Sequence, residues 1–332
     1  MSAPRPSAAP FPPGALAPGT PLLLATACSA DSRPATRVAL ALAAERGLAP
    51  HVLRVHDVPA LDVAALGLPA YPADPFAAGV PYDEATAAVD AAQLRAELAA
   101  AGMPTGAPWP VRVEVGAPSA CIVREAARVG AGLVVVGLRA RGLADRALGD
   151  NTAARVMRDA PCPVLGVSAA APALAGLPRR VLVGVDFGRA SARAAHAALA
   201  LVADGGTLVL AHVAAPSAQA AGEAPPESDE GEALVHALGV DAAFERLVTE
   251  LGAATPAGRS VAVECLAVPC VPGHGVAREL LAAAGRVRAD LVAAATQRLP
   301  RLARLLLGSV TAELARDGGR SLLVVPPAGR GA

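Results

Sequence analysis

Residues 134–167 read VVVGLRARGLADRALGDNTAARVMRDAPCPVLGV, and this stretch decides the fold. An apolar run at Leu133–Leu138 is followed by a loop, a helical pattern at Gly149–Asp159 and a second apolar run at Pro163–Ser168. Short continuous runs of Val and Leu are typical of strands covered on both faces, which occur in parallel sheets. A strand, a helix and a strand in this order predict a right-handed crossover.

A second copy of this pattern lies further along the chain. The residues LGDNT at Leu148–Thr152 are matched by LGSVT at Leu307–Thr311, 159 positions later. Ala27, after the apolar run LLLAT, and Asp186, in VLVGVDFG, are separated by the same 159 positions. One offset at both ends of a long segment indicates a duplicated domain rather than a solenoid, whose repeats are much shorter.

Both copies predict the same alternation of strands and helices. In the first copy the other predicted strands are 21–26, 50–56 and 111–115, and the other helices are 31–46, 83–101 and 118–129. In the second copy the strands are 180–186, 207–213, 260–267, 290–295 and 321–326, and the helices are 190–202, 232–252, 275–284 and 308–317. We therefore expect an α/β protein with a flexible arm at 1–19, a domain at 20–168, an Ala/Pro-rich linker at 169–178 and a second domain at 179–327.

Composition excludes several classes of function. The hydrophobic fraction of 54% is largely alanine, and no apolar run reaches the ~18 residues that a membrane-spanning helix needs. A net charge of zero and an aromatic content of 2% argue against nucleic acid and anionic membranes as partners. The proline-rich N-terminus does not fit a secretory signal, and five cysteines, an odd number, favour reduced thiols, so we expect a cytoplasmic protein.

A metal site is not expected from the cysteines. Cys265, Cys270 and His274 lie near one another, but their spacing is irregular and they fall in a Pro/Gly-rich stretch. Free cysteines usually behave as small buried apolar residues, so ordinary packing is the favoured interpretation.

Three segments resemble the universal stress protein family. They are the VxVD-like turn at Val183–Asp186, the stretch at 134–167, and LLLGSVTAELARDGGRSLLVV at 305–325. The resemblance covers both predicted domains. It implies two Rossmann-like (adenine nucleotide alpha hydrolase-like) domains, each with a five-stranded parallel sheet of order 3-2-1-4-5 and helices on both faces. It also implies self-association through the last strands, as a pseudo-dimer within one chain or as a homodimer.

Some members of this family bind ATP, with an Asp at the end of strand one and a G-x2-G-x9-G-(S/T) loop after strand four. In such a loop the glycines let backbone N–H groups approach phosphate, and the following helix contributes its N-terminus. The first copy departs from this pattern, because Ala27 replaces the Asp, Ala140 replaces a glycine and Asp150 replaces the Ser/Thr. A carboxylate at that last position would repel phosphate.

The second copy keeps more of the nucleotide pattern, although Ala295 and Arg298 stand where the first two glycines belong. We therefore expect ATP or a related adenine nucleotide in this domain only. The residues that the resemblance assigns to it are Asp186, Val213, Arg298, Gly308, Ser309, Val310 and Thr311. A purely structural alternative also fits, in which Ser309 caps a helix and Asp186 braces a turn.

The expected function is that of a stress-response protein without catalysis. His196, His212 and His274 have no Ser, Cys or Asp partner at motif spacing, and no catalytic motif stands out. The resemblance favours nucleotide binding by the second domain. A nucleotide-independent scaffold that acts through dimer surfaces is the alternative, and a slow ATPase is a more remote one that rests on analogy alone.

Overall fold

The computed structural model describes residues 16–27, 29, 32–56, 84–104, 109–138, 152–169, 174, 176–214, 234–235, 238–256, 258–271, 273–296, 309–317 and 319–327. Its strands are β1 (Pro21–Ala25), β2 (Ala49–His56), β3 (Val111–Val115), β4 (Leu133–Leu138), β5 (Val164–Ser168), β6 (Arg180–Gly184), β7 (Gly206–Ala214), β8 (Val261–Pro269), β9 (Leu291–Ala295) and β10 (Ser321–Val325). Its helices are α1 (Arg33–Arg46), α2 (Glu84–Ala100), α3 (Pro118–Val129), α4 (Thr152–Asp159), α5 (Arg189–Leu201), α6 (Val240–Ala254), α7 (Val276–Arg286) and α8 (Ser309–Asp317).

The strands form one continuous sheet of order β3-β2-β1-β4-β5-β10-β9-β6-β7-β8. Each half has the order 3-2-1-4-5 when it is read from its outer edge toward the centre of the sheet, so the predicted α/β topology of two tandem Rossmann-type domains is confirmed. Pairing is parallel within each half. The halves meet where β5 pairs antiparallel with β10, with Leu165 opposite Leu323. The two last strands are therefore joined within one chain.

Both faces of the sheet are covered, which explains the continuous apolar runs. In β1, Leu22 and Leu24 face one core and Leu23 faces the other, and all three are fully buried. The first core contains residues of α1, α2, α5 and α6. The second contains residues of α3, α4, α7 and α8.

A glycine permits close packing beside the junction of the halves. A Cβ added at Gly166 would lie 2.5 Å from Cε of Met157 and 2.8 Å from Cδ1 of Leu138. Across the junction, the Ser168 N–H donates to Oγ of Ser321 at 3.2 Å. The side chains of Met157 and Leu138 can therefore pack against the backbone of β5 at Gly166, in space that any larger residue would occupy.

One helix differs from the sequence expectation. The helix predicted at 232–252 is interrupted: residues 234, 235 and 238 are helical, Gly239 adopts φ +83° and breaks the helical backbone, and α6 begins at Val240. The stretch expected to be a linker contributes Leu174 and Leu177 to the core, 5% and 8% exposed. The helical pattern of the first copy begins at Thr152, and residues 139–151 lie outside the described residues. Of the described helices, none has the length and apolarity needed to cross a membrane.

Candidate functional site

A cleft of about 320 Å³ opens at the carboxyl ends of β6, β7 and β9. Its polar lining comes from Asp186, Ser191, His212 and Thr311. Its other walls are apolar and include residues at the ends of these strands and on α7. Strand β6 lies between β9 and β7. The chain continues from β6 to β7 on one side and from β9 to β10 on the other, so the direction of the connections reverses between β6 and β9. Ligands of open α/β sheets bind at such a switch point.

Asp186 occupies the turn directly after β6, where its carboxylate organises the backbone. Its Oδ1 accepts hydrogen bonds from the Ser191 hydroxyl at 2.5 Å and from the Gly188 N–H at 2.9 Å. The Asp186 N–H in turn donates to the Ser191 Oγ at 3.2 Å. Gly188 is the N-cap of α5. The carboxylate therefore ties the end of β6 to the start of α5, as the structural alternative predicted.

Phe187 is held in a conformation that few residues other than glycine adopt. Its φ is +62°, in the left-handed region. Its ring lies 4.9 Å from the ring of His212 and 5.0 Å from the ring of Phe244, the latter edge-on. Aromatic contacts on two sides compensate for the backbone strain and place the ring between the cleft and α6.

His212 forms part of the cleft wall near the end of β7. Its Nδ1 lies 2.9 Å from the carbonyl oxygen of Val185. Because a carbonyl can only accept, Nδ1 carries a proton in this contact. The sequence shows no Ser, Cys or Asp partner for His212 at motif spacing, and a lone histidine in a strand pattern gives no signal of this position.

Helix α8 closes the cleft on the side of β9. Thr311 is buried, and its hydroxyl donates to the Ala295 carbonyl at 3.2 Å, which fixes the first turn of α8 against the end of β9. Val310 is half-buried and also lines the cleft. Ser309 is the first residue of the helix. The unpaired N–H groups of a helix N-terminus and its positive dipole end therefore lie beside the cleft.

The structure brings together four of the seven predicted site residues. Asp186, Val213, Val310 and Thr311 line one cleft, although they are far apart in sequence. Ser309 begins α8, and its side chain is not among those described. Arg298 and Gly308 lie outside the described residues. Ser191 was not predicted as a site residue. The sequence feature that could have indicated it is its position five residues after Asp186.

The corresponding turn of the first copy has hydroxyl groups in place of a carboxylate. Ser32 is 159 positions before Ser191, and Ala27 is 159 before Asp186. The Thr26 hydroxyl donates to the Ser32 Oγ at 3.2 Å, and the Ser32 hydroxyl donates to the Ser29 carbonyl at 3.0 Å. Side-chain hydrogen bonds therefore stabilise both turns, but only the turn of the second copy contains a carboxylate at this position. Residues 139–151 of this copy, which include Ala140 and Asp150, are outside the described part of the chain.

The Cys/His stretch considered for a metal contains a different interaction. The Nδ1 of His274 lies 2.6 Å from Oε1 of the buried Glu279, on α7. Sγ of Cys270 lies 3.6 Å from the backbone oxygen of His274, not from its ring. Within the described ranges, no group of three His, Cys, Asp or Glu residues is placed to hold a metal ion.

One comparison with known proteins identifies a family. A family model described as the Universal stress protein family matches residues 20–168 and, a second time, residues 178–326. A universal stress protein from Archaeoglobus fulgidus DSM 4304 is similar in structure, with a TM-score of 0.58 and 18% identity, over 94% of this chain and 98% of that one. A functionally unknown protein from Pseudomonas aeruginosa PAO1 has a TM-score of 0.54 and 17% identity, over 95% of each chain.

A third solved structure, a universal stress protein in complex with cAMP, is 27% identical over 45% of this chain and 97% of its own, with a TM-score of 0.34. No curated protein has a significant sequence match to the chain. At their low identities, the two structures that match over the full length establish the fold.

Proposed function

The chain belongs to the universal stress protein family, and from this premise we propose that it is a stress-response protein whose second domain binds an adenine nucleotide in the cleft beside Asp186. The observation that carries the proposal is the convergence of Asp186, Val213, Val310 and Thr311 on one cleft. Three separate segments of the chain contribute these residues, and the family resemblance assigns each segment to the nucleotide.

The dimensions of the cleft suit the nucleoside part of the ligand. Small-molecule sites typically enclose roughly 300–1,000 Å³, and this cleft, at about 320 Å³, is at the lower end. Its mostly apolar wall includes Val185, Leu280 and Ala294, which suits a base and a sugar ring. Phosphates would then extend toward the start of α8, where N–H groups and the helix dipole favour negative charge.

The resemblance to nucleotide-binding members of the family assigns a role to each residue. The Asp186 carboxylate is an acceptor for ribose hydroxyls, and the backbone at Val213 holds the adenine, as in the nucleotide-binding members of the family. Ser309, Val310 and Thr311 form the phosphate end with the first turn of α8. We keep Gly308 and Arg298 in the proposal, since a guanidinium can replace N–H donors to phosphate.

The Ala at the first glycine position is compatible with the proposal. Ala295 is the last residue of β9, and it is not among the residues with positive φ. A backbone with negative φ does not require glycine, so the substitution causes no strain at this point.

A nucleotide-independent scaffold is the second candidate. It is favoured by the hydrogen bonds of Asp186, because bracing the turn is sufficient reason for a carboxylate there. The central β5–β10 pairing leaves neither last strand with a free edge. Association between separate chains would therefore use another surface.

The decisive experiment is to denature the purified protein, identify any released nucleotide by mass spectrometry, and then titrate the nucleotide-free protein with ATP in a calorimeter. We expect one site per chain.

Phosphate release measured in the same sample tests the slow-ATPase alternative, and we expect none above the rate in buffer. No released nucleotide together with no binding heat would favour the scaffold.

A further inference from the structure

The two outer strands of the sheet differ in how well their free edges are protected. At one edge, β3 has five residues, and its Glu114 pairs with Arg112 at 2.7 Å and with Arg124. At the other edge, β8 has nine residues, and its one charged side chain, Glu264, is already paired with Arg180 of the same chain. Short strands and charged side chains prevent an edge from pairing with a further strand. The edge of β8 lacks this protection.

Every second residue of β8 directs its backbone groups away from the sheet. The Ser260 N–H donates to Oδ1 of Asp204 at 2.7 Å, and the Ser260 carbonyl accepts from the Gly205 N–H at 2.7 Å, so both groups of Ser260 face the side of β7. Residues at every second position of a strand face the same neighbour. The residues that face outward are therefore Val261, Val263, Cys265 and Ala267. Within the described part of the chain, their outward N–H and carbonyl groups form no hydrogen bond.

The side chains along this edge leave room for another strand. Ala262, Cys265 and Ala267 are exposed, and all three are small. Neighbouring strands lie about 4.8 Å apart, and small side chains at the seam permit that approach. The edge of β8 is therefore accessible as well as unpaired.

The partner that this edge fits is the same edge of a second copy of the chain. An antiparallel pair that a strand forms with itself has a two-fold axis, so each outward N–H meets an outward carbonyl of the other copy. With the axis at Cys265, the middle residue of β8, Val263 lies opposite Ala267 of the other copy. Glu264 then lies opposite Leu266, so the two carboxylates do not face each other.

We propose that the chain forms a dimer by antiparallel pairing of β8 with β8 of a second copy, which extends the sheet across two molecules. Antiparallel pairing also joins the two halves of one chain, at β5 and β10. Because β3 is protected, each chain has one edge available, so assembly stops at two chains instead of continuing as a fibre. The proposal does not depend on nucleotide binding.

Sedimentation of the full chain without nucleotide, over a range of concentrations, tests the proposal. We expect a reversible equilibrium between monomer and dimer. Ala267→Pro removes one outward N–H from each chain and should weaken the dimer about tenfold, because two hydrogen bonds are lost. Ala267→Lys places a charge at the edge and should also weaken the dimer. Ala96→Lys, the same change at an exposed position of α2, is the matched control and should dimerise like the parent.

A short thiol-reactive cross-linker locates the interface. Side chains of a strand project from the faces of the sheet, so the exposed Cys265 stays accessible in the dimer. We expect peptide mapping to find Cys265 of one chain joined to Cys265 of the other, and Cys265→Ser to remove this product.

Three outcomes would overturn the proposal. They are a chain that is monomeric at every concentration, a dimer that is cross-linked only at other cysteines, and equal dimer affinities of Ala267→Lys and Ala96→Lys. The first would leave the edge of β8 to a different partner, and the other two would place the dimer interface on a different surface.

Discussion

The guanidinium of Arg46 donates through Nη2 to the carbonyl of Val202 at 2.6 Å, and so links the end of α1 in the first half to the segment that follows α5 in the second. Its Nε donates to the Ala200 carbonyl at 3.1 Å. Arg259 donates to the same Val202 carbonyl and to that of Leu199. Carbonyls at a helix C-terminus lack intrahelical partners, so two arginines from different halves satisfy the end of α5. Burial, and secondarily the charge of Arg259, lower the pKa of Arg46.

We predict that the two arginines are energetically coupled. Arg46→Met and Arg259→Met should each destabilise the protein by about 1–2 kcal/mol, because each removes two hydrogen bonds from backbone carbonyls. The double variant should lose about 1 kcal/mol more than the sum, because only then does Val202 lose both donors. Urea unfolding measures this. Arg37→Met, which removes an exposed arginine of α1, is the control, and strict additivity would contradict the shared acceptor.

The two roles of Asp186 can be separated by substitution. Asp186→Asn keeps an acceptor for Ser191 and Gly188 but removes the charge, so we expect a small change in stability and weaker nucleotide binding. Asp186→Ala removes the acceptor from both donors and should cost about 1–2 kcal/mol in unfolding free energy. Denaturant unfolding and calorimetry together distinguish these effects. An Asn variant with unchanged affinity would indicate that the carboxylate only braces the turn.

Ser309→Asp copies the residue that the first copy has at Asp150. It should place a negative charge at the phosphate end of the cleft and reduce ATP affinity about 30-fold, on the order of 2 kcal/mol. Folding should be little affected, because Asp is a good residue at a helix N-terminus. Ser260→Asp adds the same charge at an exposed position before β8 and should bind ATP normally. Equal affinities of the two variants would argue against phosphate at α8.

Cys162 should be inert in the folded protein. Burial raises the pKa of its thiol to about 12, from 9.0 for an ordinary cysteine. The reactive thiolate is therefore almost absent at mildly alkaline pH. Iodoacetamide should modify the exposed Cys265 and spare Cys162 until the chain is unfolded. Peptide mapping by mass spectrometry checks this, and rapid modification of Cys162 under native conditions would contradict its burial.

The raised pKa of the Cys162 thiol also affects the stability of the protein at alkaline pH. The folded state holds the Cys162 proton more tightly than the unfolded chain does. The contribution of the protonated thiol to the free energy of unfolding is therefore complete below pH 9.0 and is lost as pH rises toward about 12. In unfolding experiments across that range, Cys162→Ala should show a weaker dependence on pH than the parent protein. Identical slopes would show that the thiol does not titrate differently in the two states.

The sequence by itself determined the duplicated domain and the order of strands and helices. The continuous apolar runs at Leu22–Leu24 and Leu133–Leu138 indicate strands that are buried on both faces of the sheet. The constant offset of 159 residues indicates the duplication. These features are local or repetitive along the chain, so periodicity and spacing report them directly. The family resemblance implied the strand order 3-2-1-4-5, and in that order strands one and four are neighbours, which brings Asp186 and the start of α8 to one cleft.

Only the tertiary structure decided which groups complete the cleft. His212 and Ser191 line the cleft beside Asp186. Arg46 meets Val202 across 156 positions. Such contacts depend on how the helices pack on the sheet and on the directions of the side chains. Neither produces a periodic pattern in the sequence between the two residues, so the contacts cannot be predicted from periodicity.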